Sequence, residues 1–132
     1  MKKVFLGGTC NGSLWRDEVM KKLEIEYYNP AGEEWTAEMM QEEIKQRKES
    51  DFCLYVLTPK MEGFFSVAEL IDDSNKRPDK TIFCFLNEDE GKRFSDIQIR
   101  SLEQVGEMVK RNGARFFKKI DDVIDFLNHQ YN

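Results

Sequence analysis

The sequence has few of the residues that usually hold metals or form disulfide bonds. Its one histidine is His129, and its three cysteines, Cys10, Cys53 and Cys84, are far apart and form no CxxC pair. Zinc sites and disulfide frameworks need clustered ligands, so we expect neither, and we expect no metal or other cofactor. Cys53 and Cys84 lie in apolar runs where a thiol acts as a small hydrophobic group, and this pattern favours a reducing, cytoplasmic location.

The chain also lacks a long apolar run and an excess of positive charge. No stretch approaches the ~20 apolar residues that cross a bilayer, and Gly7 and Gly8 interrupt the apolar start too early for a secretory signal. The formal net charge is -5, so the chain has no general attraction for a phosphate backbone. We therefore expect neither a membrane nor a nucleic acid as partner, although backbone N–H groups can still hold a small anion.

What is present is an alternation of short apolar runs with longer amphipathic segments. The chain has 132 residues, of which 40% are hydrophobic and 34% charged, which is typical of one globular domain, here residues 1–132. Five strands alternating with five helices predict an α/β fold, a doubly wound five-stranded parallel sheet of the flavodoxin or Rossmann type. The predicted strands are Val4–Leu6, Ile25–Tyr28, Phe52–Leu57, Lys80–Leu86 and Ala114–Phe117.

In such a sheet, ligands bind outside the carboxyl ends of the strands. The loop GGTCNGS follows the first strand there, and its glycines allow a ligand close to the backbone, while Thr9, Asn11 and Ser13 offer polar side chains. With the helix that follows, this loop can cradle a phosphate or a sugar. The same residues also suit a tight turn and a helix cap, since the loop matches neither GxGxxG nor a P-loop.

One carboxylate, Glu69, stands out in the mostly apolar stretch GFFSVAEL. The helical period predicts an apolar, buried face and a polar, solvated stripe that includes Glu69. The start of this helix at the carboxyl edge of a central strand favours a functional role instead, so both interpretations stay open. The predicted buried face consists of Phe64, Val67, Ala68 and Ile71, and the polar stripe of Ser66, Glu69 and Asp73.

Three segments together, VFLGGTCNG, SDFCLYVLTP and GFFSVAEL, resemble the nucleoside 2-deoxyribosyltransferase-like superfamily in their order across residues 4–86. The resemblance implies cleavage of N-glycosidic bonds, with Glu69 as the nucleophile on the sugar's anomeric carbon. It assigns Asp51, before the third strand, a role near the base or in orienting the site. The substrate-binding positions that it implies, for the sugar or a 5′-phosphate, are Gly7, Gly8, Thr9 and Asn11, with Gly63 and Ser66 beside the glutamate.

The chain departs from the family pattern at several positions, which leaves hydrolysis and transfer both open. Phe5 stands where transferases often have tyrosine, Gly63 takes the place of an aspartate, and Ile71 follows Glu-Leu in place of glycine. The expected partner is a nucleoside or nucleotide. Members of the family often form oligomers, so the resemblance also implies a homo-oligomer. Two other classes stay open, a non-catalytic nucleotide- or sugar-phosphate-binding module and a flavodoxin-like flavin-binding protein.

Overall fold

A parallel sheet forms the centre of the protein in the computed structural model, which describes residues 1–10, 12–30 and 36–130. Over these ranges, the strands are β1 (Lys3–Gly8), β2 (Glu26–Tyr28), β3 (Phe52–Leu57), β4 (Thr81–Phe85), β5 (Glu88–Asp89), β6 (Lys92–Arg93) and β7 (Arg115–Phe116). Five of them pair in parallel in the order β2-β1-β3-β4-β7, and β5 and β6 form a separate antiparallel hairpin. This order confirms the predicted fold class.

Within the same ranges, four α-helices connect strands and a fifth follows the last strand, and side-chain caps start two of the five. Thr36 accepts a hydrogen bond from the Met39 N–H, and Ser95 and Gln98 form a reciprocal capping box. None of the described helices is long and apolar enough to cross a membrane. The helices are α1 (Trp15–Lys22), α2 (Ala37–Glu49), α3 (Phe65–Lys76), α4 (Asp96–Arg111) and α5 (Ile120–Asn128), with a 3-10 turn at Pro78–Lys80.

The sheet is covered on both faces because successive side chains of a strand point to opposite sides. On β1 and β3, Leu6 and Leu54 belong to one core and Phe5 and Tyr55 to the other. Helices α1 and α5 contribute to the first core, and α3 and α4 to the second. Strands buried on both faces must be apolar throughout, which is why the central runs are nearly continuous in the sequence.

Helix α3 does not bury the face that its apolar residues predict. Phe64 and Phe65 are 77% and 71% exposed, Ala68 is exposed, and only Val67 and Ile71 are partly buried against the core. The fully buried positions are Leu70, Asp73 and Ser74, so Asp73 of the polar stripe faces the sheet, while Ser66 and Glu69 are partly buried. This is possible because ionic and hydroxyl partners from other elements meet the buried carboxylate of Asp73.

The β5–β6 hairpin makes polar contacts with other loops. Ser13 does not cap α1, which starts at Trp15; instead its hydroxyl lies 2.5 Å from Asp89 in the hairpin. A second contact joins Glu90 to Lys60 at 2.5 Å. The hairpin therefore ties the loop after β4 to the loops after β1 and β3.

Candidate active site

A crevice opens where the sheet's connections reverse direction, between the carboxyl ends of β1 and β3. Its volume is about 510 Å³, and its lining includes Gly7, Gly8, Ser66 and Glu69. A smaller space of about 150 Å³ adjoins it and shares Gly8 and Ser66. The structure thus brings the predicted glycines and the predicted glutamate to one site, at the place where such folds bind ligands.

Glycines form the floor of the crevice because β1 runs very close to β3 there. Gly8 has φ +118°, and a Cβ at this position would lie 2.0 Å from the Val56 carbonyl oxygen. A Cβ on Gly7 would lie 2.7 Å from the Tyr55 ring. Only glycine satisfies these constraints, and both residues line the crevice with backbone atoms alone. Both residues are the last two of strand β1, whereas the sequence suggested that they belong to the loop after it.

Thr9 and Arg16 hold the backbone beyond these glycines in place. Thr9 is 4% exposed, and its hydroxyl accepts a hydrogen bond from the Thr58 N–H at 2.9 Å. The buried guanidinium of Arg16 donates to the carbonyl oxygens of Leu6, Gly8 and Thr9 at 3.0, 3.2 and 2.6 Å. Burial lowers the pKa of Arg16 below its usual value. These two side chains therefore fix the backbone at the crevice. Thr9, which the sequence predicted to bind substrate, is buried and has its hydroxyl bonded to the Thr58 N–H.

Glu69 lies in the second turn of α3 with its side chain only 14% exposed. One oxygen, Oε2, is 3.5 Å from Nη1 of Arg47 on α2. Burial raises the pKa of Glu69 to about 6, the charge of Arg47 opposes that shift, and the nearby carboxylates of Glu43 and Asp73 add to it. The carboxylate is therefore recessed, ionised at neutral pH, and set in an environment that makes its charge costly.

The free-energy cost of keeping the buried Glu69 carboxylate charged predicts that Glu69→Gln stabilises the protein above pH 7. A carboxyl group whose pKa rises on folding binds more protons in the native state, so stability falls as pH increases from about 4.5 to 6. Removing the charge should add on the order of 1 kcal/mol after solvent screening. Thermal unfolding at pH 8 and pH 4 measures the effect, which should vanish at pH 4. An equal gain at both values would contradict this origin.

Asp51 lies at the opposite edge of the sheet from Glu69. Its carboxylate accepts a hydrogen bond from the Lys3 N–H at 2.9 Å and lies 4.0 Å from the Lys2 ammonium. The residue before a parallel strand is at the amino edge, and the six residues of β3 place it about 17–20 Å from the crevice. Asp51 therefore does not join Glu69 in this chain, and its contacts indicate a role in fixing the start of β1.

The remaining predicted residues divide between the crevice and the part of the chain that is not described. Ser66 lines both spaces and Gly63 lines the smaller one, whereas Asn11 is outside the described residues. Sequence reasoning did not find Glu43 of α2, which lines the crevice with Glu69, or the contact of Arg47 with Glu69. Nothing in the charged sequence of α2 distinguishes these two residues from their neighbours.

A flavodoxin-like sheet with a recessed carboxylate and two glycines at the carboxyl edge of its strands has the arrangement at which α/β domains of this class bind small ligands. Comparison with protein families makes this class more specific. A family model described as nucleoside 2-deoxyribosyltransferase like matches residues 1–88, and the chain belongs to that family. A search of curated proteins found no match. The match covers β1 to β4 and the residues named above as lining the crevice, which run from Gly7 to Glu69.

Proposed function

We propose that the protein cleaves the N-glycosidic bond of a nucleoside or nucleotide, with Glu69 as the nucleophile. The observation that carries this proposal is the recessed Glu69 carboxylate, which lines the same crevice as the bare backbone of Gly7 and Gly8. The family match supports the same chemistry.

The proposed reaction proceeds in two displacements at the anomeric carbon. A Glu69 oxygen forms a bond to the anomeric carbon while the bond between this carbon and the base nitrogen breaks. The base leaves with the electron pair of the broken bond and takes up a proton. The resulting glycosyl ester is opened when water attacks the same carbon, the Glu69 carboxylate leaves, and the water gives up a proton. Attack by a second base in place of water gives transfer.

The walls of the crevice suit the two parts of such a substrate. Gly7 and Gly8 line the crevice together with Glu69 and present only backbone atoms there, so a sugar can approach the backbone. Phe65 lines the crevice and is 71% exposed, so its ring is free to stack on a base. In this arrangement the anomeric carbon, which joins sugar and base, lies between them and near the carboxylate.

The raised pKa of Glu69 predicts the pH dependence of the reaction. Because the nucleophile must be ionised, kcat/KM should fall about tenfold per pH unit below about pH 6. The profile should be measured from pH 4.5 to 8 with a nucleoside that is itself stable over this range. An acid limb that stays flat down to pH 4.5 would show that a recessed carboxylate is not the reacting group.

A substrate panel tests the function itself. The purified protein is incubated with purine and pyrimidine nucleosides, their deoxy forms and their 5′-phosphates, and free base is measured by chromatography. Adding a second base separates transfer, which yields a new nucleoside, from hydrolysis. If no base is released but a nucleotide, sugar phosphate or flavin raises the melting temperature, the protein is a binding module and the proposal fails.

A further inference from the structure

We propose that Arg47 is a positioning residue for Glu69, and that Asp73 and Tyr55 hold Arg47 in place. This inference rests on the proposed function, since it concerns the group that we assign as nucleophile. The four side chains come from three elements, α2, α3 and β3, and they form one continuous chain of contacts. None of Arg47, Asp73 and Tyr55 was a candidate site residue from the sequence.

Arg47 bridges the carboxylates of α3 from the last turn of α2. Its side chain is 12% exposed. Its Nη2 and Nε atoms donate to the two oxygens of Asp73 at 2.9 and 3.3 Å, which is a two-pronged contact that fixes the plane of the guanidinium. The remaining nitrogen, Nη1, is then directed toward Glu69 at 3.5 Å. Asp72, at 3.4 Å, is a further and more exposed partner.

The sheet provides the anchor for this arrangement. Asp73 and Tyr55 are both 0% exposed, and the Tyr55 hydroxyl donates a hydrogen bond to Asp73 Oδ2. Arg77 contacts the other oxygen of Asp73 at 2.5 Å. Tyr55 in turn lies against Gly7, at the floor of the crevice. Arg47 is therefore held to the central strand through Asp73 and Tyr55.

The chemistry explains why such a contact suits a nucleophile. At 3.5 Å the guanidinium stabilises the negative charge of Glu69 without the close pairing that would occupy its lone pairs. When the glycosyl ester forms, Glu69 loses its charge, yet Arg47 keeps its pairing with Asp73 and is not left as a buried unpaired charge. Glu43 from α2, Asp73 from α3 and Arg16 from α1 are the other charged groups that act on Glu69.

The test measures the titration of Glu69 directly, so it needs no substrate. Protein labelled with ¹³C at the glutamate side-chain carboxyl carbon is titrated by NMR, and the Glu69 signal is identified by its loss in Glu69→Gln. In Arg47→Met we expect the Glu69 pKa to rise by about one unit, because its main stabilising charge is gone. Arg47→Lys, which keeps a charge, should restore part of the shift.

Arg77→Met is the matched control, because Arg77 pairs with the same Asp73 and makes no ion pair with Glu69. It should leave the Glu69 titration unchanged. The proposal is overturned if Arg47→Met titrates like wild type, or if Arg77→Met shifts Glu69 as much. Should Arg47→Met fail to fold, Arg47→Met/Asp73→Asn is compared with Asp73→Asn, since the buried anion is then removed from both.

The two proposals fail in different ways. If Glu69→Gln keeps base release while Arg47→Met shifts the Glu69 pKa, the nucleophile assignment fails and the positioning contact stands. If Glu69→Gln abolishes base release and Arg47→Met leaves the Glu69 titration unchanged, the nucleophile assignment stands and the positioning role of Arg47 fails. Where the protein is active, the acid limb of its kcat/KM profile should move in Arg47→Met by the same number of pH units as the NMR titration.

Discussion

Glu69→Gln should lower the rate of base release by a factor of about 10³ or more. The amide keeps the size of the side chain and its place in the crevice but cannot form the covalent bond to the anomeric carbon. Because the crevice and its glycine floor should persist, substrate binding should remain while kcat falls. Single-turnover assays with the best substrate of the panel, combined with ligand-induced shifts of the melting temperature, separate these two effects.

Glu107→Gln provides the control for this loss. Glu107 is exposed on α4, pairs with Lys110 at 3.8 Å and lies away from the crevice, so its removal should leave the rate unchanged. If Glu69→Gln retains more than about a tenth of the wild-type rate, another group carries the reaction. Glu43 is then the first to examine, because among the described residues it is the other carboxylate that lines the crevice with Glu69.

Much of the fold follows from the sequence because a parallel sheet leaves a strong signal. The runs around Leu54 and Phe83 are buried on both faces, which forces them to be apolar at every position. Strand alternation with helices then fixes the crossover pattern and so the edge where ligands bind. This is why the sequence places Gly7 and Gly8, and the start of the helix that carries Glu69, at the ligand-binding edge, whereas the functional role of Glu69 came from the family resemblance.

The parts that the sequence did not predict involve the direction of strands or partners distant along the chain. Asp51 is close in sequence to the predicted site, but a residue that precedes a strand is a full strand length away from one that follows it. The predicted buried face of α3 was wrong because a helical period distinguishes only apolar from polar residues, and here the polar residue Asp73 is buried through its pairing with Arg47, 26 residues away along the chain. No local pattern reveals this pairing.

Gly8→Ala should destabilise the protein by about 3–5 kcal/mol, which is the largest stability effect that we expect of a one-methyl change in this chain. The new Cβ would lie 2.0 Å from the Val56 carbonyl oxygen, and the φ of +118° is unfavourable for any residue with a side chain. That same carbonyl accepts the Thr9 N–H at 2.9 Å, so moving it also breaks the tie between β1 and β3. Denaturant unfolding measures the loss.

Substitutions at two other glycines separate the steric from the conformational cause of the destabilisation expected for Gly8→Ala. Gly12 also has a positive φ, +74°, but a Cβ there meets nothing within 4 Å, so Gly12→Ala should cost only about 1 kcal/mol of backbone strain. Gly63→Ala has neither constraint and should be neutral or slightly stabilising, because it restricts the unfolded chain. If Gly8→Ala costs no more than Gly12→Ala, the close approach of β1 to β3 does not form the floor of the crevice as described.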